Sequence, residues 1–254
     1  MAAAEPRLRP AIARAVFREA PSGYSCSVRA LLVVVLVLGV AGAAAAADGE
    51  PRKALTKNGQ ATAKSIVLKQ GDLTAAFAAR PRSDDKLPAG VRCDALDESD
   101  LTITGDAQSP DFALSQPGVY VTVGSTAQVY RTPREAGLSW TRGSSSQTTT
   151  CFADIIRLSA PRGQKVKIVS AKRLAFPKVA PRTVAFRVVA ILTLPGNRQV
   201  RAYVDAVVLQ HGRIQSGLVF TSLGRPVGRT DELGLASVLA TRMARAAGPR
   251  GPKA

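Results

Sequence analysis

The chain has 254 residues, 35 Lys or Arg against 18 Asp or Glu, a formal net charge of +17 and a single histidine. One histidine and three cysteines exclude a His-rich metal centre and leave no Ser-His or Cys-His pair beyond what His211 could supply. Aromatics make up 5% of the residues, so any core rests mainly on Val, Leu, Ile and Ala.

Residues 1–47 read as an export signal with a long basic leader. Arginines precede an apolar core, Leu31 to Val40, which runs into small residues ending in Ala45-Ala46-Ala47. Cleavage after Ala47 is expected. The core falls short of the roughly 20 residues of a bilayer span, and the alternative is an uncleaved tilted anchor in which the alanines extend it. A secreted or cell-envelope location follows, with membrane association only if the signal stays. Cys26 would leave with the leader, so Cys93 and Cys151 remain as an even pair 58 residues apart. In an oxidising compartment they are expected to form a disulfide, worth about 4 kcal/mol on the chain-entropy model.

Residues 48–62 are polar, lack periodicity and read as a linker; 63–247 read as a single domain. Lys64 to Leu68 fits a last helical turn or a short strand, and Asp72 can cap a brief helix through Phe77. Residues 80–90 read as loop. Asp94, Asp97, Glu98 and Asp100 cluster after Cys93, but their spacing does not match a calcium loop, and a solvated turn is the plainer reading. "LTITGDAQSPDFAL" and "GVYVTVGSTAQVYRT" alternate as strands around a Pro117-Gly118 turn. A helix is expected from Pro133 through Trp140, and Cys151 to Leu158 reads as a short helix or an extended piece.

Four period-two segments follow: "QKVKIVSAKRLAF", "RTVAFRVVAILTL", "RQVRAYVDAVVL" and "GRIQSGLVFTSL". Short turns join them, so an antiparallel meander is expected. His211-Gly212 is the last of those turns, and His211 reads as a turn residue. Thr230 begins a closing helix with Asp231 and Glu232 in its first turn and Arg242 and Arg245 in its last. The tail 248–254 reads as disordered. The fold class is α+β: a four-strand C-terminal meander and an N-terminal strand pair, with helices packed on one face and a C-terminal helix closing.

Alternation divides the meander into two faces. Val200, Ala202, Val204 and Ala206 join Phe186, Val188, Ile214, Leu218 and Phe220 as an apolar face for the last helix. Lys165, Lys167, Arg187, Arg201, Tyr203, Asp205, Arg213 and Gln215 form the other. That second face is either simply solvated or a binding surface, since guanidinium forks suit carboxylate and phosphate. An ion pair from Arg187 or Arg201 to Asp205 would weaken it. Charge supports an anionic partner. Residues 101–254 carry 21 basic and seven acidic side chains, and no acid lies between Asp154 and Asp205. In an exported protein the candidates are a wall polymer, a lipid headgroup or a small acidic ligand, not nucleic acid. No Gly-x-Ser-x-Gly elbow, Walker loop or dinucleotide fingerprint occurs, so neither catalytic residues nor a cofactor are assigned.

The order "VLKQGDLTAAF", "SPDF…VYRT", a cysteine, "YVDAVVLQHGR" and a closing "LASVLATRM" helix resembles small exported or lipid-anchored proteins of high-GC Gram-positive bacteria. These are the extracellular sensor-like domains of PknH-type kinases and lipoproteins with a PsbP-like fold. The resemblance spans Ala63 to about Ala247. It implies a non-catalytic module with a cleft between sheet and helix. This chain departs from it in having one cysteine pair and no lipidated cysteine after the signal. The leading expectation is an exported, non-catalytic, sensor-like binding module using the basic sheet face. A structural or partner-binding envelope protein, contacting its partner through the groove beside the last helix, is the alternative. A secreted hydrolase is the third.

Overall fold

The computed structural model of the protein describes residues 49–82, 93–160 and 164–248. The expected signal segment and cleavage site, most of the loop 80–90, and residues 249–254 of the tail lie outside the described residues. No described helix is long and apolar enough to cross a membrane.

The described chain is α+β. In order it forms β1 (Arg52–Lys53), α1 (Lys57–Ile66), β2 (Ala78–Arg80), β3 (Thr102–Gln108), β4 (Asp111–Gln116) and β5 (Val119–Tyr130). Then come α2 (Pro133–Gly143), α3 (Gln147–Leu158), β6 (Lys165–Leu174), β7 (Arg182–Thr193), β8 (Gln199–His211), β9 (Ile214–Leu223) and α4 (Arg229–Ala247). One sheet carries the order β1-β3-β5-β9-β8-β7-β6, with β4 pairing β5 and β2. Only β1 and β3 run parallel. The expected meander is present as β6 to β9, and α4 closes the chain.

Helices cover both faces of this sheet, which extends the one-sided layer expected. Alternation along β8 explains the division. Val207 and Leu209 join Leu218 and Phe220 of β9, the apolar side of α4, and Ala63 and Ile66 of α1 in one core. Val204 and Ala206 join Phe186, Val188 and Val219 beneath Phe152, Ile155 and Ile156 of α3 in another. The last helix therefore sits on the face opposite to the one expected from Val200, Ala202, Val204 and Ala206. The two-residue turn at Gly212-Arg213 is the cause. It opposes His211 to Ile214, so odd residues of β8 share a face with even residues of β9. Gly212 there has φ +59°, which glycine adopts without cost.

The stretch 48–62, expected as a linker, holds β1 and most of α1. Thr56 caps that helix, its Oγ1 accepting from the Gly59 amide at 3.0 Å. Only Gly59, Ala63 and Ile66 of α1 are buried, too little apolar surface to show as periodicity. A Cβ at Gly59 would overlap the Thr104 carbonyl, and one at Gly105 the Gly59 carbonyl, so α1 and β3 meet backbone to backbone. Asp72 ends a 3-10 turn instead of starting a longer helix. Its carboxylate accepts two bonds from Arg242 of α4 at 2.6 and 2.8 Å. Thr132 and Glu135 form a reciprocal capping box ahead of α2. α4 begins at Arg229 with Gly228 as its N-cap, so Thr230 lies inside its first turn. Cys93 and Cys151 form a disulfide with their Cα atoms 5.8 Å apart, tying the turn before Glu98 to α3.

Candidate functional site

The strand register decides which expected site residues meet. Lys165 opposes Thr193, and Thr193 opposes Gln199. Lys167, Ile191 and Arg201 form the next row, and Ser170, Val189 and Tyr203 the row after. Lys172, Arg187 and Asp205 form the fourth. Directly paired residues point to the same side of a sheet, so Lys165, Lys167, Arg187, Arg201 and Tyr203 do share a face, the one that carries α4. Gln215 does not join them. It faces α2, where its amide oxygen accepts from Ser139 at 3.3 Å. Arg213 lies in the hairpin turn, at the opposite end of β8 from Arg201.

Arg187 belongs to the interior. Its Nε and Nη2 donate to the Asp205 carboxylate at 2.5 and 2.7 Å. The same Nη2 lies 3.4 Å from Glu232 of α4. Asp205 is 1% exposed and Glu232 fully buried. Arg229 closes the cluster, donating to Glu232 at 2.8 Å while its guanidinium stacks 5.0 Å above the Phe176 ring. Burial, a hydrogen bond with Asp205 and the Asp205 charge push the Glu232 carboxyl up to about 8, against the pull of Arg229 and Arg187. At neutral pH the Glu232 carboxyl therefore stays protonated. This cluster anchors the first turn of α4 to the sheet, so Arg187 is withdrawn from the expected binding surface.

Next to that turn lies a cavity of about 460 Å³. Its floor is sheet: Leu114 of β4, Val121 and Val123 of β5, and Phe220 of β9. Leu73 and Phe77 wall one side; Val227 and Leu235 wall another. Thr74, Gln116, Tyr120, Arg225 and Asp231 are the polar groups among the lining residues. Burial pushes the Asp231 carboxyl and the Tyr120 phenol up from their ordinary values. Ala75, Ala76, Arg225 and Pro226 are exposed, so the cavity reaches the surface. Folded interiors hold few voids larger than a water molecule, and this volume falls in the range of about 300–1,000 Å³ that receives small ligands. Several of its walls come from non-repetitive segments, 73–77 and 224–228, whose sequences carry no period. The available signal was local: Val227 is an apolar residue between Pro226 and Gly228, in a turn otherwise free of them.

The opposite face is sealed by comparison. The void under α2 and α3 amounts to about 40 Å³. Beside it Tyr130, Ser139, Gln128 and Glu98 make a buried polar knot. The Tyr130 hydroxyl lies 3.0 Å from Glu98 Oε2, 3.1 Å from Gln128 Oε1 and 2.8 Å from Ser139 Oγ, and Ser139 donates to Glu98. Burial pushes the Glu98 carboxyl up, opposed by the hydrogen bonds from Ser139 and Tyr130. The acidic run after Cys93 is thus divided. Glu98 turns inward, while Asp100 pairs with Arg142 at 2.5 Å. Among the described residues no group of three His, Cys, Asp or Glu is placed to hold a metal ion.

Fold and site together define a class: an α+β module with helices on both faces of one sheet and a surface-connected apolar cavity where its last helix begins. Compared with known proteins, the chain matches no family model, no curated protein and no solved structure.

Proposed function

We propose that the protein is an exported, non-catalytic binding module whose ligand is a small apolar or amphipathic molecule held beside the first turn of α4. The single observation behind this reading is the cavity of about 460 Å³ with walls of Leu, Val and Phe. Such a lining gives affinity by removing apolar surface from water, and a few polar groups at the rim set orientation. Thr74, Gln116, Arg225 and Asp231 are polar lining groups that can do so here. The disulfide suits an oxidising compartment. The reading relocates the site from the basic sheet face to the groove between sheet and closing helix.

A fluorescent polyene fatty acid, cis-parinaric acid, tests it. Titration into the purified protein is expected to give saturable one-to-one binding. Val227→Trp, which places an indole in the cavity from a half-buried loop position, is expected to weaken it. Saturable binding that is unchanged in Val227→Trp, or no saturation at all, would discard the proposal.

A further inference from the structure

The outer half of the α4-bearing face remains open beyond the Arg187–Asp205 cluster. There the register sets out a lattice of three strands. Lys165, Lys167 and Lys172 on β6 and Arg201 on β8 are exposed. Between them Val189, Ile191 and Tyr203 are partly exposed. Asp205, which ends the acid-free window 155–204, is buried and paired with Arg187. β6 is the end of the sheet's strand order.

Lysines on an edge strand have a simpler use, since they block pairing with another chain. That use needs charge on β6 alone. Here the cations continue to Arg201, two strands inward, and are interleaved with apolar and aromatic side chains. A soluble polyanion would use the charges but gain nothing from Val189 or Ile191. A bilayer surface uses both. Cationic heads stay among anionic headgroups, while short apolar groups and an aromatic ring sit at the boundary below them.

The geometry points to this strip as a docking surface for an anionic lipid bilayer. Lys165, Lys167 and Arg201 make the electrostatic contact, and Val189, Ile191 and Tyr203 the interfacial one. The strip adjoins the cavity. Tyr203 opposes Ser222 of β9, whose hydroxyl donates to the Arg225 carbonyl at 2.8 Å, and Arg225 lines the cavity. A module docked this way holds the cavity next to the membrane. The inference uses residues outside the cavity wall, so it stands or falls separately from the ligand reading.

Hydrogen exchange of the full chain, read peptide by peptide by mass spectrometry, tests it and separates this strip from any contact made by residues 31–47. With vesicles of equimolar phosphatidylglycerol and phosphatidylcholine, slower exchange is expected across 165–170 and 199–203. Pure phosphatidylcholine vesicles should leave those peptides unchanged. Each cation near an anionic surface is worth about a fivefold change in affinity. Lys165→Ala/Lys167→Ala/Arg201→Ala should therefore raise the lipid concentration for half-protection on the order of 100-fold, with an unchanged melting curve. High salt should act in the same direction. Val227→Trp should retain the protection. Equal protection by zwitterionic vesicles, retention in the triple variant, or protection by soluble polyphosphate but not by vesicles would overturn the inference.

Discussion

The two faces of one sheet differ in how they are finished. Under α2 and α3 the packing leaves about 40 Å³, the Phe152 and Phe186 rings meet edge to face at 5.7 Å, and a disulfide fastens the layer. Under α1 and α4 the same strands leave about 460 Å³, and a four-membered charge cluster holds the helix start. The difference arises from alternate residues of the same strands. Val204 and Ala206 look toward α3, while Asp205 between them looks toward α4. A closed layer gives stability, and a layer held at its ends leaves room for a ligand.

The largest expected effect falls on the closed face. Replacing both Cys93 and Cys151 with Ala should cost about 4 kcal/mol in denaturant unfolding by the chain-entropy model. Reductant should reproduce that loss. A change under 1 kcal/mol would mean that the α2–α3 layer is held by packing alone.

On the other face Asp205→Ala strands Arg187 beside the remaining charges. A loss of about 3 kcal/mol is expected, the usual result of removing one partner from a buried pair. An unchanged unfolding midpoint would show that the cluster does not anchor α4.

The pH dependence sharpens the same point. The Glu232 carboxyl is raised in the folded protein to about 8 from an ordinary 4.5. Its contribution is fully present below about 4.5 and is lost as pH rises through about 8. The melting temperature should fall between pH 5.5 and 8.5. Glu232→Gln, which keeps a donor toward Asp205, should flatten that fall. The groups facing Glu232 are Asp205, Arg187 and Arg229. A wild-type profile that is flat or rising would contradict the raised Glu232 carboxyl.

The smallest effects on stability belong to the surface. Lys165→Ala, Lys167→Ala and Arg201→Ala should each stay within about 0.5 kcal/mol of wild type. A larger loss in any of them would mean that the strip is part of the packing.

Much of this fold was legible in the sequence. Period-two runs and short turns announced β6 to β9, Pro133 announced α2, and the even cysteine pair announced the disulfide. Co-location of Lys165, Lys167, Arg187, Arg201 and Tyr203 on one face also followed from alternation. What alternation alone does not give is how faces combine across a turn. Two residues at Gly212-Arg213, rather than three, put Gln215 on the other side and moved the closing helix to the Asp205 face. The Arg187–Asp205 pair was one of the two ion pairs open in the sequence, but its link to Glu232, 45 positions from Arg187, was hidden. The cavity was the least legible feature. Its walls include two aperiodic segments, brought together by strands distant in the chain.

Methyl chemical shifts followed during titration with decanoate compare the two faces in one experiment. Saturable shifts are expected at Leu114, Val121, Val123 and Leu235, which line the cavity. Val188 and Val204, under α3, should stay unmoved. Shifts on the α3 side, or no saturable shift at the cavity, would contradict the assignment of the ligand site to the α4 face.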